Sequence, residues 1–181
     1  MGIKFSVKAD VKQAMRMLND AQRKVVPEAV SASLNRAVKQ TRTAIIRESA
    51  SRLRVKQKVM REWIRFQRRD RATRRNWEAG IFSVVSDIKA AKLGKPRQLK
   101  RGAKAGKYMF PGAFKATMAS GHTGIYRRVT ARRLPIREVK IPIRDTVIPV
   151  IRSKIQTVGI PAFRKRFHHE LQYRLKRKGL A

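Results

Sequence analysis

Apolar positions change their period several times along this chain. Ile3, Phe5 and Val7 alternate with Lys4, Ser6 and Lys8, the period of two that predicts a short strand with one buried face. After Asp10, which is suited to capping, Val11, Ala14, Met15, Leu18, Ala21 and Val25 fall on one helical stripe. Pro27 fits the first turn of a second helix and would break a continuous one. That second helix runs to about Ser51, with Val30, Leu34, Ala37, Val38, Thr41 and Ile45 on its apolar side. At roughly 1.5 Å per residue it spans about 35 Å, long for a chain of this size. Val55, Val59 and Trp63 recur every four positions inside a strongly basic stretch, which predicts a short third helix.

From Trp77 the pattern changes. WEAGIFSVV, residues 77–85, predicts a strand, and Ile88 to Leu93 a second short one ended by Gly94. The segment from Gly94 to Lys107 has no acidic residue and reads as an exposed, mobile basic loop. Between Tyr108 and Pro142, β-branched and aromatic residues lie in runs bounded by Gly and Pro, predicting two or three short antiparallel strands. Pro111, Pro135 and Pro142 lack a backbone donor and belong at strand ends or edges. Val147, Ile151, Ile155 and Val158 keep helical spacing, with Pro149 near the start and a break or kink at Gly159 and Pro161. Phe163, Phe167, Leu171 and Leu175 define a last amphipathic helix. The expectation is a single α+β domain over 1–181. Its parts are a helical region 9–51, a basic segment 52–75, a β region 76–142 with the basic loop 94–107, and a C-terminal helical region 143–181, the helices packing on a small, mostly antiparallel sheet.

Charge alters this picture most. In 181 residues there are 46 Lys and Arg against 11 Asp and Glu, a formal net charge of +35. That is far more than solubility requires, and its self-repulsion costs stability unless a partner absorbs it. Nucleic acid, an anionic membrane or an acidic protein surface would each serve. An apolar fraction of 42% suffices for a core. The absence of cysteine excludes disulfides, thiolate zinc sites and thiol catalysis. No apolar run approaches the roughly 18 to 20 residues of a membrane span and no signal peptide is evident, so a cytoplasmic, membrane-free setting is expected. The Met-Gly start with Ser6 is weak support for lipidation.

VPEAVSASLNRAV at Val26 to Val38, FPGAF at Phe110 to Phe114, GIYRRV at Gly124 to Val129, LPIREVKIPI at Leu134 to Ile143, and a Pro-interrupted helix ending HHELQYRLKRK follow one another along the chain. In that order they resemble the minor tail protein Z family of long-tailed bacteriophages. The ordered series carries the likeness from about Val26 to Lys178, least well over Arg65 to Lys107. The resemblance implies an α+β virion protein at the head-proximal end of the tail, without enzymatic activity. It would complete the tail for head joining and DNA entry, in about six copies or a multiple. It also implies structural roles for Pro111, Gly112, Phe114, Gly124, Tyr126, Pro135 and Pro142. The partners it implies are the tail terminator, the tail tube and the head-tail connector, with contact to the genomic DNA end also open.

The residues themselves offer little catalytic chemistry. The acidic side chains are scattered, with no paired-carboxylate pattern for a nuclease. His168 and His169 are adjacent, so on a helix they point about 100° apart, and a surface or interface role is expected for them rather than a metal site. Gly94, Gly102 and Gly106 lie among lysines, but the phosphate-loop pattern is absent, and no cofactor is expected. Trp63, Phe66 and Trp77 interleave with arginines as on single-strand-binding surfaces, yet core anchoring is the preferred reading for the tryptophans. The electrostatic contacts are assigned to Arg65, Arg68, Arg69, Arg71, Arg74 and Arg75, and to Lys95, Arg97, Lys100, Arg101, Lys104 and Lys107. They would meet acidic protein or DNA. The alternative from another class is a free basic nucleic-acid-binding protein of the ribosomal or chromatin type.

Overall fold

The computed structural model describes the backbone of residues 2–6, and residues 16, 18, 19, 24–84 and 86–180. The helix expected from Val11 to Val25 lies largely outside the described residues. The chain divides into two compact units, residues 1–47, 63–84 and 149–181 in the first and residues 48–62 and 85–148 in the second.

The first unit holds most of α1, Val26–Arg52, the long helix that Pro27 opens. Its 27 residues correspond to about 40 Å. Val26, Ala29, Val30, Leu34, Ala37, Val38 and Ile45 are buried along one stripe, as the periodicity requires. Thr41 joins the stripe because its hydroxyl donates to the Ala37 carbonyl at 2.8 Å, which satisfies its polar atom in place. Beside it, β1 (Gly2–Ser6) and β2 (Ile64–Arg65) flank β3 (Glu78–Ser83) in an antiparallel ladder, with Gly2 opposite Phe82 and Ile64 opposite Ser83. Ala79, Ile81 and Ser83 are the buried alternation of β3.

At its end α1 closes in a Schellman motif, with Val55 N–H donating to the Ala50 carbonyl and Arg54 N–H to that of Ser51. Arg54 occupies the left-handed position, φ 47°, where glycine is usual. Then α2 (Gln57–Trp63) buries Val59, Met60 and Trp63, the expected short basic helix.

In the second unit the strands are distributed over small antiparallel ladders instead of one sheet. β4 (Ile88–Lys89) pairs with β11 (Lys140–Ile141). A three-stranded ladder joins β5 (Arg97–Leu99), β6 (Gly102–Ala105) and β7 (Tyr108–Pro111). Another joins β8 (Phe114–Thr117), β9 (Thr123–Arg128) and β10 (Ile136–Glu138). Pro111 ends edge strand β7, Pro135 precedes edge strand β10 and Pro142 follows β11, where a missing donor costs no ladder bond. Residues 88–93 form one short strand and then a 3₁₀ turn, Ala90–Leu93, rather than a strand throughout.

Most of the segment expected to be an irregular loop is a hairpin. Small residues at Ala103 and Ala105 are wholly buried while Lys104 between them is exposed, an alternation hidden from a hydrophobicity reading by the size of alanine. Glycine is required at its corners. A Cβ on Gly106, φ 59°, would meet the Leu93 carbonyl at 2.5 Å, and one on Gly102 would collide with the Phe110 carbonyl.

The C-terminal part contains α3 (Arg144–Lys154) and α4 (Ile160–Arg177), joined by a π turn over Ile155–Gly159. Pro149 is inside α3 and not at its start, because the helix begins earlier, at Arg144. Its exposed position lets water serve the Asp145 carbonyl that loses a partner. The expected break or kink at Gly159 and Pro161 is absorbed by the wider turn without interrupting the helical path.

Candidate interaction surface

The arginines between Arg65 and Arg75 ride on an anchored segment. Asp70 accepts from the Gln67 N–H at 3.0 Å across a 3₁₀ turn, Arg68–Asp70. The Asn35 side chain on α1 then clamps Ala72 from both sides, donating to its carbonyl and accepting from its N–H, each at 2.9 Å. All six predicted arginines are exposed, but they are not equivalent. Arg74 pairs with Glu28 at 2.9 Å, Arg69 reaches Asp70 at 4.0 Å, and Arg71 lies over the Phe66 ring at 5.9 Å. Arg68 and Arg75 have no carboxylate partner among the described residues.

The aromatics of this stretch are engaged in the fold. Trp63 is buried, the Trp77 indole donates to the Arg74 carbonyl at 3.1 Å, and Arg71 occupies one face of Phe66. That arrangement favours anchoring over base stacking.

In the β5–β6 hairpin, Lys95, Arg97, Lys100, Arg101, Lys104 and Lys107 are all exposed, and none pairs with a carboxylate among the described residues. Arg97 and Lys104 sit directly opposite in the ladder, a like-charge pair with no carboxylate partner among the described residues. The Tyr108 hydroxyl on β7 donates to the Leu53 carbonyl, and Gln98 on β5 accepts from the Lys115 N–H at 2.7 Å, so the β5–β6–β7 ladder is tied through both of its edge strands. The two predicted clusters belong to different units.

Two acids, Glu170 and Glu138, each accept from two basic side chains. Glu170, 5% exposed, accepts from Arg36 on α1 and from Arg174 one turn along α4. Arg174 also approaches Glu28 at 3.8 Å, so Arg36, Glu170, Arg174, Glu28 and Arg74 form one network. Burial pushes the Glu170 carboxyl up, but Arg174 and Arg36 outweigh it and hold the group below the usual carboxylate value. Glu138 on β10 accepts from His122 and Lys89, each at 2.9 Å, and its carboxyl is likewise lowered by those contacts against the opposing effect of burial.

The same corner explains residues named by the family resemblance. Gly124 is closely surrounded: a Cβ would lie 3.1 Å from both the Glu138 carboxylate and the Tyr126 ring, each of which would have to give by a few tenths of an ångström. Tyr126 is buried opposite Phe114, ring centroids 6.5 Å apart. Gly112, φ 68°, turns the chain from β7 to β8.

His168 and His169 are exposed while Glu170 turns inward, and no group of three or more His, Cys, Asp or Glu residues among the described ones could hold a metal. Sequence reasoning missed Glu170 as a hub. The available signal was its place on the stripe of Phe163, Phe167 and Leu175, where a carboxylate needs a partner. An open groove of about 530 Å³ lies beside the π turn, lined by Gln40, Val158, Pro161, Ala162, Lys165 and His169.

Fold and charge together define a cationic α+β protein in which Glu170 and Glu138 pair with the protein's own cations while both predicted basic clusters are exposed. The chain belongs to the prophage minor tail protein Z family, whose model matches residues 8–178. It is similar to the tail completion protein of Escherichia phage N15, 25% identical over 153 residues, covering 80% of this chain and 83% of that one. It is also similar to tail completion protein Z of Escherichia phage lambda, 26% identical over 186 aligned residues, covering 92% of this chain and 95% of that one. No solved structure matches the chain.

Proposed function

We propose that this protein completes the head-proximal end of a phage tail and prepares it for head joining and DNA entry. It acts by binding alone, as part of the virion. The observation that carries this reading is the family match across residues 8–178, joined to relatives of similar length named for tail completion. In this role it forms a ring of about six copies or a multiple, against the tail terminator, the tail tube and the head-tail connector.

The exposed arginines between Arg65 and Arg75 and the cations of the β5–β6 hairpin supply the electrostatic contacts, to acidic subunits or to the DNA end. Cations such as Arg68, Arg75, Arg97 and Lys104, which have no carboxylate partner among the described residues, are the ones available for that purpose. The test is a stop codon early in the reading frame. Tails should then form but not yield infectious particles, and mass spectrometry of wild-type virions should detect the polypeptide. Infectious particles from the mutant, or virions without the protein, would overturn the reading and favour a free nucleic-acid-binding protein.

A further inference from the structure

The β9–β10 hairpin carries a feature that neither predicted cluster includes. Between residues 127 and 137 lie Arg127, Arg128, Arg132, Arg133 and Arg137, and none has a carboxylate partner among the described residues. Arg127 and Arg137 are directly opposite in the ladder, so two guanidinium groups share one face with no carboxylate beside them among the described residues.

Two of the five are already held in place. Arg127 donates to the Pro111 carbonyl at 3.0 Å, and Arg128 lies over the Phe114 ring at 5.9 Å. Fixing a guanidinium before it meets a partner removes part of the ordering cost of binding. Alongside these charges the connecting segment exposes Val129 at 45% and Leu134 at 65%, and Val129 N–H donates to the Pro135 carbonyl at 3.0 Å, closing the segment at its base.

We propose that this hairpin end docks onto another protein, at a face with an apolar centre ringed by carboxylates. Exposed apolar side chains flanked by arginines suit a protein interface, where the apolar groups are buried at the centre and the guanidinia form bidentate pairs with carboxylates around them. A sugar-phosphate backbone would use the guanidinia and leave Val129 and Leu134 in water, so it accounts for half of the surface. The proposal rests on the tail reading for where the partner is found, and on the hairpin alone for its chemistry.

The experiment uses purified tails assembled with this reading frame silenced, mixed with purified full-length protein and assayed by co-sedimentation. Two variants are compared with wild type, Val129→Ser/Leu134→Ser and Arg132→Glu/Arg133→Glu, with circular dichroism confirming the fold of these exposed-site changes. Each should bind the tails roughly tenfold or more weakly. The serine variant should still shift a linear DNA duplex as wild type does. Tail binding by the serine variant equal to wild type overturns the proposal. So does a glutamate variant that loses the duplex but keeps the tails, which would make this a DNA-contacting surface. Failure of the wild-type protein itself to bind the tails would instead sink the tail reading, which keeps the two outcomes apart.

Discussion

Replacing Glu170 by glutamine tests the network that joins α1 to α4. The carboxylate is 6% exposed and serves two guanidinia, so glutamine keeps the shape while removing the charge both depend on. A hydrogen bond to a charged group contributes about 1.5–3 kcal/mol. The Arg36 side chain is 56% exposed, which reduces its share toward the ~1 kcal/mol or less of a surface pair. Arg174 is 22% exposed and retains Glu28 at 3.8 Å, so it is not orphaned and the larger penalty of an abandoned buried charge does not apply in full. The sum is a loss of about 2–3 kcal/mol. For a chain of this length each kcal/mol corresponds to roughly 2–4 °C, placing the fall in Tm at about 4–12 °C. Thermal and urea unfolding of the purified protein measure it. Arg36→Ala should cost about 1 kcal/mol or less, and the double mutant should show coupling. A Glu170→Gln protein within about 0.5 kcal/mol of wild type would refute the view of Glu170 as the hub.

Other substitutions separate local from global effects. Arg54→Gly should stabilise the protein by up to about 1 kcal/mol, because the left-handed position at the end of α1 strains any side chain; a lower urea midpoint would contradict this. Asn35→Ala strips both partners from the buried Ala72 peptide groups, at about 1–3 kcal/mol, and should speed tryptic cleavage between Arg68 and Arg75, whereas an unchanged cleavage rate would show the clamp to be dispensable. Glu138 and Glu170 have folded values below the ordinary 4.5, so their stabilisation is present above that pH and is lost as pH falls through the lowered values. Tm should therefore drop below about pH 4.5, less steeply in a Glu138→Gln/Glu170→Gln protein, and parallel curves for the two would exclude these groups as the cause. Added monovalent salt should raise Tm by screening the cations, and a flat response would show that repulsion is unimportant.

The long helix from Val26 was legible because its stripe repeats at strict helical spacing and is built mostly of branched aliphatic residues. Val30, Leu34, Ala37, Val38 and Ile45 all lie where the periodicity put them, and Pro27 marked the start. The α+β class followed from the same reasoning. What escaped was structure built from small or polar residues. The β5–β6 hairpin depends on buried alanines and on glycines pressed against other backbone, and neither raises a hydrophobic signal. The π turn arises from a conflict between Pro161 and an otherwise continuous stripe, and the sequence marked the place without revealing the geometry. The predicted contact residues are exposed as a group, but their inequality depends on long-range partners such as Glu28 for Arg74, which no local pattern contains. Of the arginines of the β9–β10 hairpin, Arg127, Arg128 and Arg137 lie inside the GIYRRV and LPIREVKIPI stretches and Arg132 and Arg133 lie between them, and the opposition of Arg127 to Arg137 depends on a ladder register that no local pattern contains.

Three directly opposed like-charge pairs recur in the second unit, Lys89 with Lys140, Arg97 with Lys104, and Arg127 with Arg137. Each such pair opposes folding by a few tenths to about 1 kcal/mol. Lys89 is relieved internally by Glu138 at 2.9 Å, whereas the other two pairs have no acid among the described residues. The uncompensated repulsion is therefore concentrated on two exposed hairpins, and the core acids are spent elsewhere. Any anionic neighbour that binds the folded form removes this cost and stabilises the fold by mass action, so affinity for the partner and stability of the protein rise together. In such a chain the positions least favourable to the isolated molecule are the ones that gain most on assembly, and that is where a binding surface should be sought.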